Sequence, residues 1–252
     1  MLKFEYSPRL ELLTEKFAAE LISVITGIQS REKRRPVILL SGGKTPVPFY
    51  ENVAKLSNIT KGADFNEILF FMGDERDVPA DSFESNYKSA ADSLCANSRI
   101  SFSCIEPLNM RLSSPKDIAA DYDGKLKKAM RGGVPDVLIL GIGADSHIAS
   151  LFPGTLGTGP ENFASEEKED IFISHFVPSL SAVRYTVTEK LVLTSPRVVL
   201  LAIGAGKKKA IEKAMSPNAC FNDAPASLIF RTPFNMERSV IVYSDFLTDS
   251  RH

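Results

Sequence analysis

The chain of 252 residues is poor in several residues on which whole classes of protein depend. It has no tryptophan, three cysteines and three histidines, and its formal net charge is −1. A charge so close to zero gives no overall field toward nucleic acid or an anionic membrane, so an anionic ligand would need a local group of cations. No apolar run approaches the roughly 20 residues of a membrane span, and the N-terminal segment has no apolar signal core. We therefore expect a cytoplasmic protein without nucleic-acid or membrane partners.

The few cysteines also argue against a covalent or metal-bound framework. Cys95, Cys104 and Cys220 are scattered and show no CxxC spacing. An odd, dispersed set suits neither a disulfide framework nor a zinc site, and we interpret all three as small core side chains in a reducing compartment. Since the chain has no cluster of His and Cys ligands, we expect no metal.

The apolar residues that are present predict an α/β fold. Leu10–Ile28 has the three- and four-residue spacing of an amphipathic helix. Short apolar runs without polar alternation are typical of strands buried on both faces of a parallel sheet; they are Pro36–Leu40, Ile68–Met72, Val137–Leu140 and Val198–Ile203. Helical patterns alternate with them at Ser85–Leu94, Pro115–Met130 and Lys207–Met215, and further strands are predicted at Ile171–Val177, Arg184–Val187 and Ser239–Tyr243. The pattern predicts a mostly parallel sheet with right-handed crossovers in a single domain, 1–252.

Ligands of open α/β sheets bind at the carboxyl ends of the strands, and here each buried strand ends in an unusual polar loop. The first loop is Ser41-Gly42-Gly43-Lys44-Thr45-Pro46. Its glycines permit close approach of a ligand and positive φ, and Thr45 is the predicted N-cap of a helix whose first residue is Pro46. The helix N-terminus would suit a phosphate, although a plain strand-to-helix turn is the alternative.

Two further loops carry concentrated charge. In Gly73-Asp74-Glu75-Arg76 we expect Arg76 to bind an anion, with Asp74 or Glu75 orienting it; a surface salt-bridge cluster is the alternative. In Gly204-Ala205-Gly206-Lys207-Lys208-Lys209, three lysines start a helix, where positive charge opposes the helix dipole. That placement makes sense if one lysine faces an anion while the other two are solvated. The remaining stretch Thr155–Asp170 is predicted to be a long surface loop, either a lid or an irregular excursion.

The loop Gly141–His147 contains the strongest chemical signal. Of the three histidines, only His147 follows a buried strand and lies two residues from a carboxylate, Asp145. Histidine is the usual general base near neutral pH, and a neighbouring Asp can orient it and raise its basicity. His175, within a strand-like run, is expected to serve packing, and His252 is the last residue.

At these loops the sequence closely resembles the 6-phosphogluconolactonase family, within the glucosamine-6-phosphate isomerase/6-phosphogluconolactonase superfamily. The matching segments are SGGKTP (41–46), DER with SN (74–76, 85–86), GIGADSHIASLFPG (141–154), RYTVT (184–188) and GAGK (204–207), with DAPAS (223–227) and YSD (243–245) as looser matches. They span most of the chain in the expected order. The resemblance implies a Rossmann-like, doubly wound sheet with helices on both faces, no cofactor, and hydrolysis of a phosphorylated sugar lactone in the pentose phosphate pathway.

The resemblance also implies roles for particular residues. His147 would activate water with the assistance of Asp145, and Arg76 would lie in the same pocket. The substrate and its phosphate would be held by Ser41, Gly42, Gly43, Lys44, Thr45, Asp74, Arg184 and Lys207. The partner is then a small phosphorylated lactone, bound by a monomer or weak homo-oligomer.

The chain departs from the family pattern at four places. Ser146 replaces a glycine and would crowd its loop if its φ is positive. Ile148 replaces a threonine, Tyr243 replaces a tryptophan, and the proline-rich stretch before RYTVT is reduced to Val177–Leu180.

Two alternatives remain. One is a glucosamine-6-phosphate isomerase/deaminase, whose branch also carries Ile at position 148. That branch has Asn-Glu-Pro where this chain has Leu151-Phe152-Pro153, and Phe152 cannot transfer a proton. The other is a non-catalytic sugar-phosphate-binding protein, which would keep the anion pocket without needing a base.

Overall fold

The buried apolar runs of the sequence form adjacent strands of one sheet, and helices lie between them. The computed structural model describes residues 1–155, 169–231 and 238–248. The strands are β1 Leu2–Tyr6, β2 Val37–Leu40, β3 Leu69–Met72, β4 Asp74–Arg76, β5 Ile105–Glu106, β6 Val137–Gly141, β7 Phe172–Val177, β8 Ala182–Val187, β9 Arg197–Ala202 and β10 Ser239–Ser244. The helices are α1 Leu10–Arg31, α2 Val47–Ile59, α3 Asn86–Cys95, α4 Pro115–Ala129, α5 Glu189–Thr194, α6 Lys208–Met215 and α7 Ser227–Arg231.

In the described part of the chain, seven strands form a parallel sheet in the order β1-β10-β9-β6-β2-β3-β5. From β2 the chain moves outward through β3 to β5, then returns to β6 on the other side of β2 and continues to β9 and β10. The direction of winding therefore reverses between β2 and β6. The loops that follow these two strands part at this point, which creates the crevice in which such sheets bind ligands.

Helices cover both faces of this sheet because the side chains of each strand alternate between its faces. In β2, Ile38 and Leu40 belong to a core cluster that includes Phe17 of α1 and Phe49 of α2. Leu39 points to the opposite cluster, where it lies with Tyr122 of α4. All of β2 is buried, as expected for a strand between two helical layers. The predicted α/β class with helices on both faces is confirmed.

A second, three-stranded antiparallel sheet, β4-β8-β7, flanks the site. The sequence interpretation of residues 73–76 as a loop is wrong, since Asp74–Arg76 forms a strand paired with β8. Gly73 joins the two sheets. Its N–H donates to Leu40 O in the large sheet (2.8 Å), and its carbonyl accepts from Val187 N in the small one (2.8 Å).

Other differences from prediction have local causes. Helix α2 begins at Val47 with Pro46 as its N-cap, so Thr45 is not the cap, and Pro48 removes another N–H donor from the first turn. Cys95 and Cys104 are buried as expected, but Cys220 is exposed and its thiol donates to Asp223. Most of the predicted Thr155–Asp170 loop, 156–168, and His252 lie outside the described residues. Within the described ranges, no helix has the length and apolar character needed to cross a membrane.

Candidate active site

A cavity of about 390 Å³ opens at the carboxyl ends of β2 and β6, against the small sheet. The structure brings together ten of the eleven residues predicted for the site: Ser41, Gly42, Gly43, Lys44, Thr45, Asp74, Arg76, His147, Arg184 and Lys207 all line it. The eleventh, Asp145, contacts His147. The cavity thus collects side chains from β4, β8 and three separate loops.

His147 and Asp145 form a close pair. The ring Nδ1 of His147 lies 2.7 Å from Asp145 Oδ1, and the same oxygen accepts the backbone N–H of His147 at 3.2 Å. Partial burial works to raise the pKa of Asp145, but the charge of His147 and these hydrogen bonds outweigh it, so the pKa lies below its usual value. The ionised Asp145 carboxylate accepts a hydrogen bond from Nδ1–H, an arrangement that leaves Nε2 as the basic nitrogen of the ring.

The turn that carries this pair needs a glycine at position 143. The Gly143 N–H donates to His147 O (2.9 Å), which folds the turn back on itself. A Cβ atom on Gly143 would lie 2.1 Å from His147 Nδ1 and 2.5 Å from Asp145 Oδ1, far inside contact distance. The histidine and the carboxylate therefore occupy the space that any larger residue would take.

Ser146, which replaces the family's glycine, has the positive φ that would favour glycine, at 73°. The residue is completely buried. Its Oγ donates to Ala210 O in α6 (2.9 Å), and its carbonyl accepts from Ala226 N (2.9 Å). The hydroxyl thus gains a hydrogen bond in the space beside α6, which offsets part of the cost of the left-handed conformation.

Phe152 packs against the base. Its ring centroid lies 4.3 Å from that of His147, with the ring planes inclined by 36°. Phe152 also lines the cavity. An apolar ring therefore lies beside His147. The isomerase/deaminase alternative would need a proton-exchanging carboxylate at this position.

The small sheet gives the cavity a cationic wall. Arg76 and Arg184 are register partners in the β4–β8 pair, so their side chains lie on the same face of the small sheet. Burial, followed by the charge of Arg76, lowers the pKa of Arg184. Among the described residues, neither these arginines nor Lys207 forms an ion pair. The Asp74 carboxylate interacts electrostatically with both arginines and so compensates them in part; a group of cations in a concave site is typical of anion binding.

The three consecutive lysines have different surroundings. Lys207 is half-buried and lines the cavity. Lys208 pairs with Glu212 one helical turn later (3.8 Å), and Lys209 is exposed. Lys44, on the first loop, lines the cavity and is exposed to solvent.

Asp74 and Glu75 have opposite environments because adjacent strand residues face opposite ways. Asp74 faces the cavity and accepts a hydrogen bond from Ser150 Oγ (2.8 Å). Burial raises the pKa of its carboxyl, and Ser150, His147 and the two arginines only partly offset that effect. Glu75 instead accepts the backbone N–H groups of Asn86 and Tyr87 at 2.8 and 2.7 Å, at the start of α3. Of the two acidic residues expected to orient an anion, Glu75 does not face the cavity, because its carboxylate anchors a helix.

The Ser41–Thr45 loop is built for close packing as much as for a ligand. Ser41 is nearly buried, and its Oγ accepts the backbone N–H of Gly141 (3.1 Å), which ties the ends of β2 and β6 together. A Cβ atom on Gly42 would lie 2.0 Å from the Asn86 side chain, and Gly43 has a φ of 83°. Both glycines are thus required by the geometry.

Several residues of the site lie outside the sequence prediction. Asn86 lines the cavity and donates to Asp74 O (3.0 Å). Ser150 also lines it, and His175, interpreted from sequence as a packing residue, hydrogen-bonds the Ser150 carbonyl. Their positions in the matching SN and GIGADSHIASLFPG segments are the only signal that could have drawn attention to Asn86 and Ser150. In the described part of the chain, no three His, Cys, Asp or Glu side chains are grouped to hold a metal ion.

Fold and site together define an α/β protein with a cationic cavity and a carboxylate-held histidine at the switch point of its sheet. Comparison with known proteins gives the family. The family described as glucosamine-6-phosphate isomerases/6-phosphogluconolactonase matches residues 8–238. This chain belongs to that family.

The relatives are similar along most of the chain. A protein of Oryza sativa subsp. indica named probable 6-phosphogluconolactonase 4, chloroplastic, is 30% identical over 236 residues, covering 88% of this chain and 68% of its own. The 6-phosphogluconolactonase of Synechocystis is 30% identical over 235 residues, covering 88% and 91%. Among solved structures, the 6-phosphogluconolactonase of Thermotoga maritima superposes with a TM-score of 0.74 at 22% identity, covering 97% and 100%. The structural match supports the same fold.

Proposed function

We propose that this protein hydrolyses 6-phospho-D-glucono-1,5-lactone to 6-phosphogluconate, in the oxidative branch of the pentose phosphate pathway. One observation carries the proposal: a histidine held by a carboxylate faces the same small cavity as two arginines and a lysine without ion-pair partners among the described residues. A base and an anion site in one cavity suit a neutral electrophile that carries a phosphate. Relatives named 6-phosphogluconolactonase, similar over 88% of the chain, support the choice of substrate.

Binding positions the lactone. The C6 phosphate docks against Arg184, Lys207 and the Ser41–Thr45 loop, where charge-assisted hydrogen bonds are the strong ones available. Anchoring the remote phosphate leaves the lactone carbonyl near His147 and converts attack by water into an oriented step.

The chemistry needs one base and one site for negative charge. His147 Nε2 takes a proton from water while the water oxygen attacks C1, and the carbonyl electrons move to its oxygen. Arg76 or backbone N–H groups stabilise that oxyanion. When the C1–ring oxygen bond breaks, the imidazolium returns its proton to the ring oxygen, and the open-chain acid is released. Asp145 keeps its position throughout and stabilises the charged ring.

The geometry disfavours the two alternatives. An isomerase/deaminase needs a further proton carrier near the base, and the ring of Phe152 occupies that side of His147. A binding protein needs only the cationic wall, so the Asp145–His147 pair would have no purpose in it. The remaining parts of the proposal are a single domain over 1–252, a cytoplasmic location, and a monomer or weak homo-oligomer that acts without cofactor.

The test is a lactonase assay on freshly prepared 6-phosphogluconolactone, with acid release followed against the spontaneous background. Ammonia release from glucosamine 6-phosphate is measured in parallel, and we expect none. His147→Ala should lower kcat by about 10²–10⁴-fold, the usual value of general acid–base catalysis, and leave the affinity for 6-phosphogluconate nearly unchanged. Lys209→Ala, on the exposed side of α6, is the matched control. Ammonia release comparable to lactone opening, or an H147A enzyme with more than half the wild-type kcat, would contradict the proposal.

A further inference from the structure

Ser150 is hydrogen-bonded to all three strands of the small sheet. Its Oγ donates to Asp74 Oδ2 on β4 (2.8 Å), and its backbone N–H donates to Thr186 Oγ1 on β8 (3.1 Å). Its carbonyl accepts from His175 Nε2 on β7 (2.8 Å). Every polar group of this one residue is thus satisfied by a different strand.

These partners lie on the face of the small sheet that carries the cationic wall. The register pairs Arg76 with Arg184 and Arg184 with His175, which places the three side chains in one row across the sheet. Asp74 and Thr186 form the next pair on the same face, two residues along each strand. Ser150 therefore contacts the face that presents Arg76 and Arg184, at positions adjacent to them.

Ser150 is also only three residues from the base. Between them, Ala149 has a φ of 48°, a left-handed conformation that a non-glycine residue keeps only where its surroundings enforce it. Ile148 forms short bridges to Ile142 and Leu151, so the segment is folded tightly onto the end of β6. A displacement of Ser150 would consequently also displace His147, because only two residues separate them in this tightly folded segment.

His175 fits its position in one protonation state. A carbonyl oxygen can only accept, so Nε2 carries the proton and Nδ1 of the neutral ring carries none. Nδ1 is buried and has no hydrogen-bond partner among the described residues. Burial, with a contribution from Arg184, lowers the pKa of His175 against the opposing effect of the Ser150 carbonyl. The ring is therefore a fixed neutral donor.

We infer that Ser150 and His175 are positioning residues, which set the spacing between the base His147 and the anion-binding pair Arg76–Arg184. Neither acts on the substrate in this role. Ser150 hydrogen-bonds the loop that carries the base to the sheet that carries the arginines. His175 in turn donates a hydrogen bond to the Ser150 carbonyl. The inference rests on the proposed function, because it assigns a consequence to the distance between base and anion site. A misplacement of about 1 Å at such a site can cost on the order of 10²-fold in rate.

The test compares two substitutions of His175 that differ in one donor group. In His175→Gln, the side-chain amide N–H can replace Nε2–H, whereas His175→Leu removes the donor. We expect His175→Leu and Ser150→Ala each to lower kcat at least about tenfold, with less than threefold change in affinity for 6-phosphogluconate. His175→Gln should recover to within about threefold of wild-type kcat. Ser174→Ala, which removes a hydroxyl from the other face of β7, is the control and should keep full activity.

A second readout separates failure of this inference from failure of the proposed function. Long-range ¹H–¹⁵N spectra of the imidazoles report the tautomer and environment of His147 and His175 without any turnover. We expect His175 as the Nε2–H tautomer, and signals of His147 that shift in His175→Leu and Ser150→Ala but return in His175→Gln. If the wild type opens no lactone yet these shifts appear, the proposed function is wrong and the positioning role holds. Unchanged His147 signals in folded His175→Leu and Ser150→Ala, or equal loss of kcat in the Leu and Gln variants, would overturn the inference.

Discussion

Adding a single methyl group at Gly143 should disable the site without removing any reactive atom. The new Cβ would lie 2.1 and 2.2 Å from Nδ1 and Cε1 of His147. Carbon atoms in contact prefer about 3.5–4.0 Å, so the ring or its turn must move by more than about 1 Å. Either movement separates His147 from Asp145 or from the cationic wall. Because misplacement by about 1 Å can cost on the order of 10²-fold in rate, Gly143→Ala should lower kcat by about 100-fold.

The assay is lactone opening by purified protein, with thermal unfolding measured on the same samples. Gly206→Ala is the matched control, because a Cβ atom there meets nothing within 4 Å although the residue adjoins Lys207. We expect that control to retain at least half of the wild-type kcat. The φ of Gly143 is not in the left-handed region, so backbone strain contributes little and the variant should stay folded. A folded Gly143→Ala enzyme with more than a third of wild-type kcat would refute the steric argument.

Three further predictions follow from the walls of the cavity. Arg184→Ala should raise the Kd for 6-phosphogluconate about tenfold or more, since a hydrogen bond to a charged group is worth roughly 1.5–3 kcal/mol; equal turnover of phosphorylated and unphosphorylated lactone by the wild type would remove the phosphate site. Asp74→Asn should unfold at a higher temperature than wild type at pH 7, because partial burial raises the pKa of this cavity-facing carboxyl and its ionised form costs stability. That advantage should shrink as the pH falls through the folded-state pKa, where the wild type also becomes neutral, and a variant less stable at pH 7 would contradict it. Phe152→Leu should lower stability by about 0.5–1.5 kcal/mol through loss of the ring contact yet retain lactonase activity; ammonia release from glucosamine 6-phosphate by the wild type would reverse that interpretation.

The large sheet was predictable because its strands are short, continuous apolar runs. A run such as Val137–Leu140 is buried on both faces and ends where the polar loop begins. The helices follow from periodicity, and Ser85 and Ser114 cap α3 and α4 through their side chains. Local sequence therefore contains most of the information that places the carboxyl ends of β2 and β6 together.

The small sheet was harder to predict because its polar strand depends on distant partners. Asp74–Arg76 has no apolar pattern, and it becomes a strand only by pairing with residues 184–186. The buried Glu75 is satisfied by N–H groups at the start of α3, about ten residues later in the chain. Hydrogen bonds between residues so far apart in the chain produce no periodic pattern in the sequence.

Ser150 illustrates the same limit within the site. Apart from its place in the GIGADSHIASLFPG segment, nothing in its neighbourhood of Ala149 and Leu151 distinguishes it from an ordinary loop serine. Its three partners come from positions 74, 175 and 186. The identity of the base was predictable from a local pair two residues apart, whereas the groups that hold the base in place were not.

The order of strands also has a consequence for how the chain is assembled. Among the described strands of the large sheet, β1 pairs with β10 alone, and β10 in turn pairs with β9. During synthesis, residues 2–6 leave the ribosome long before residues 239–244, which form their partner strand in the large sheet. β1 can thus join the sheet only after β10 is available, and contacts of such long sequence separation slow folding. A nascent chain that stops before β10 would keep an unpaired strand edge, which is a template for association with other chains.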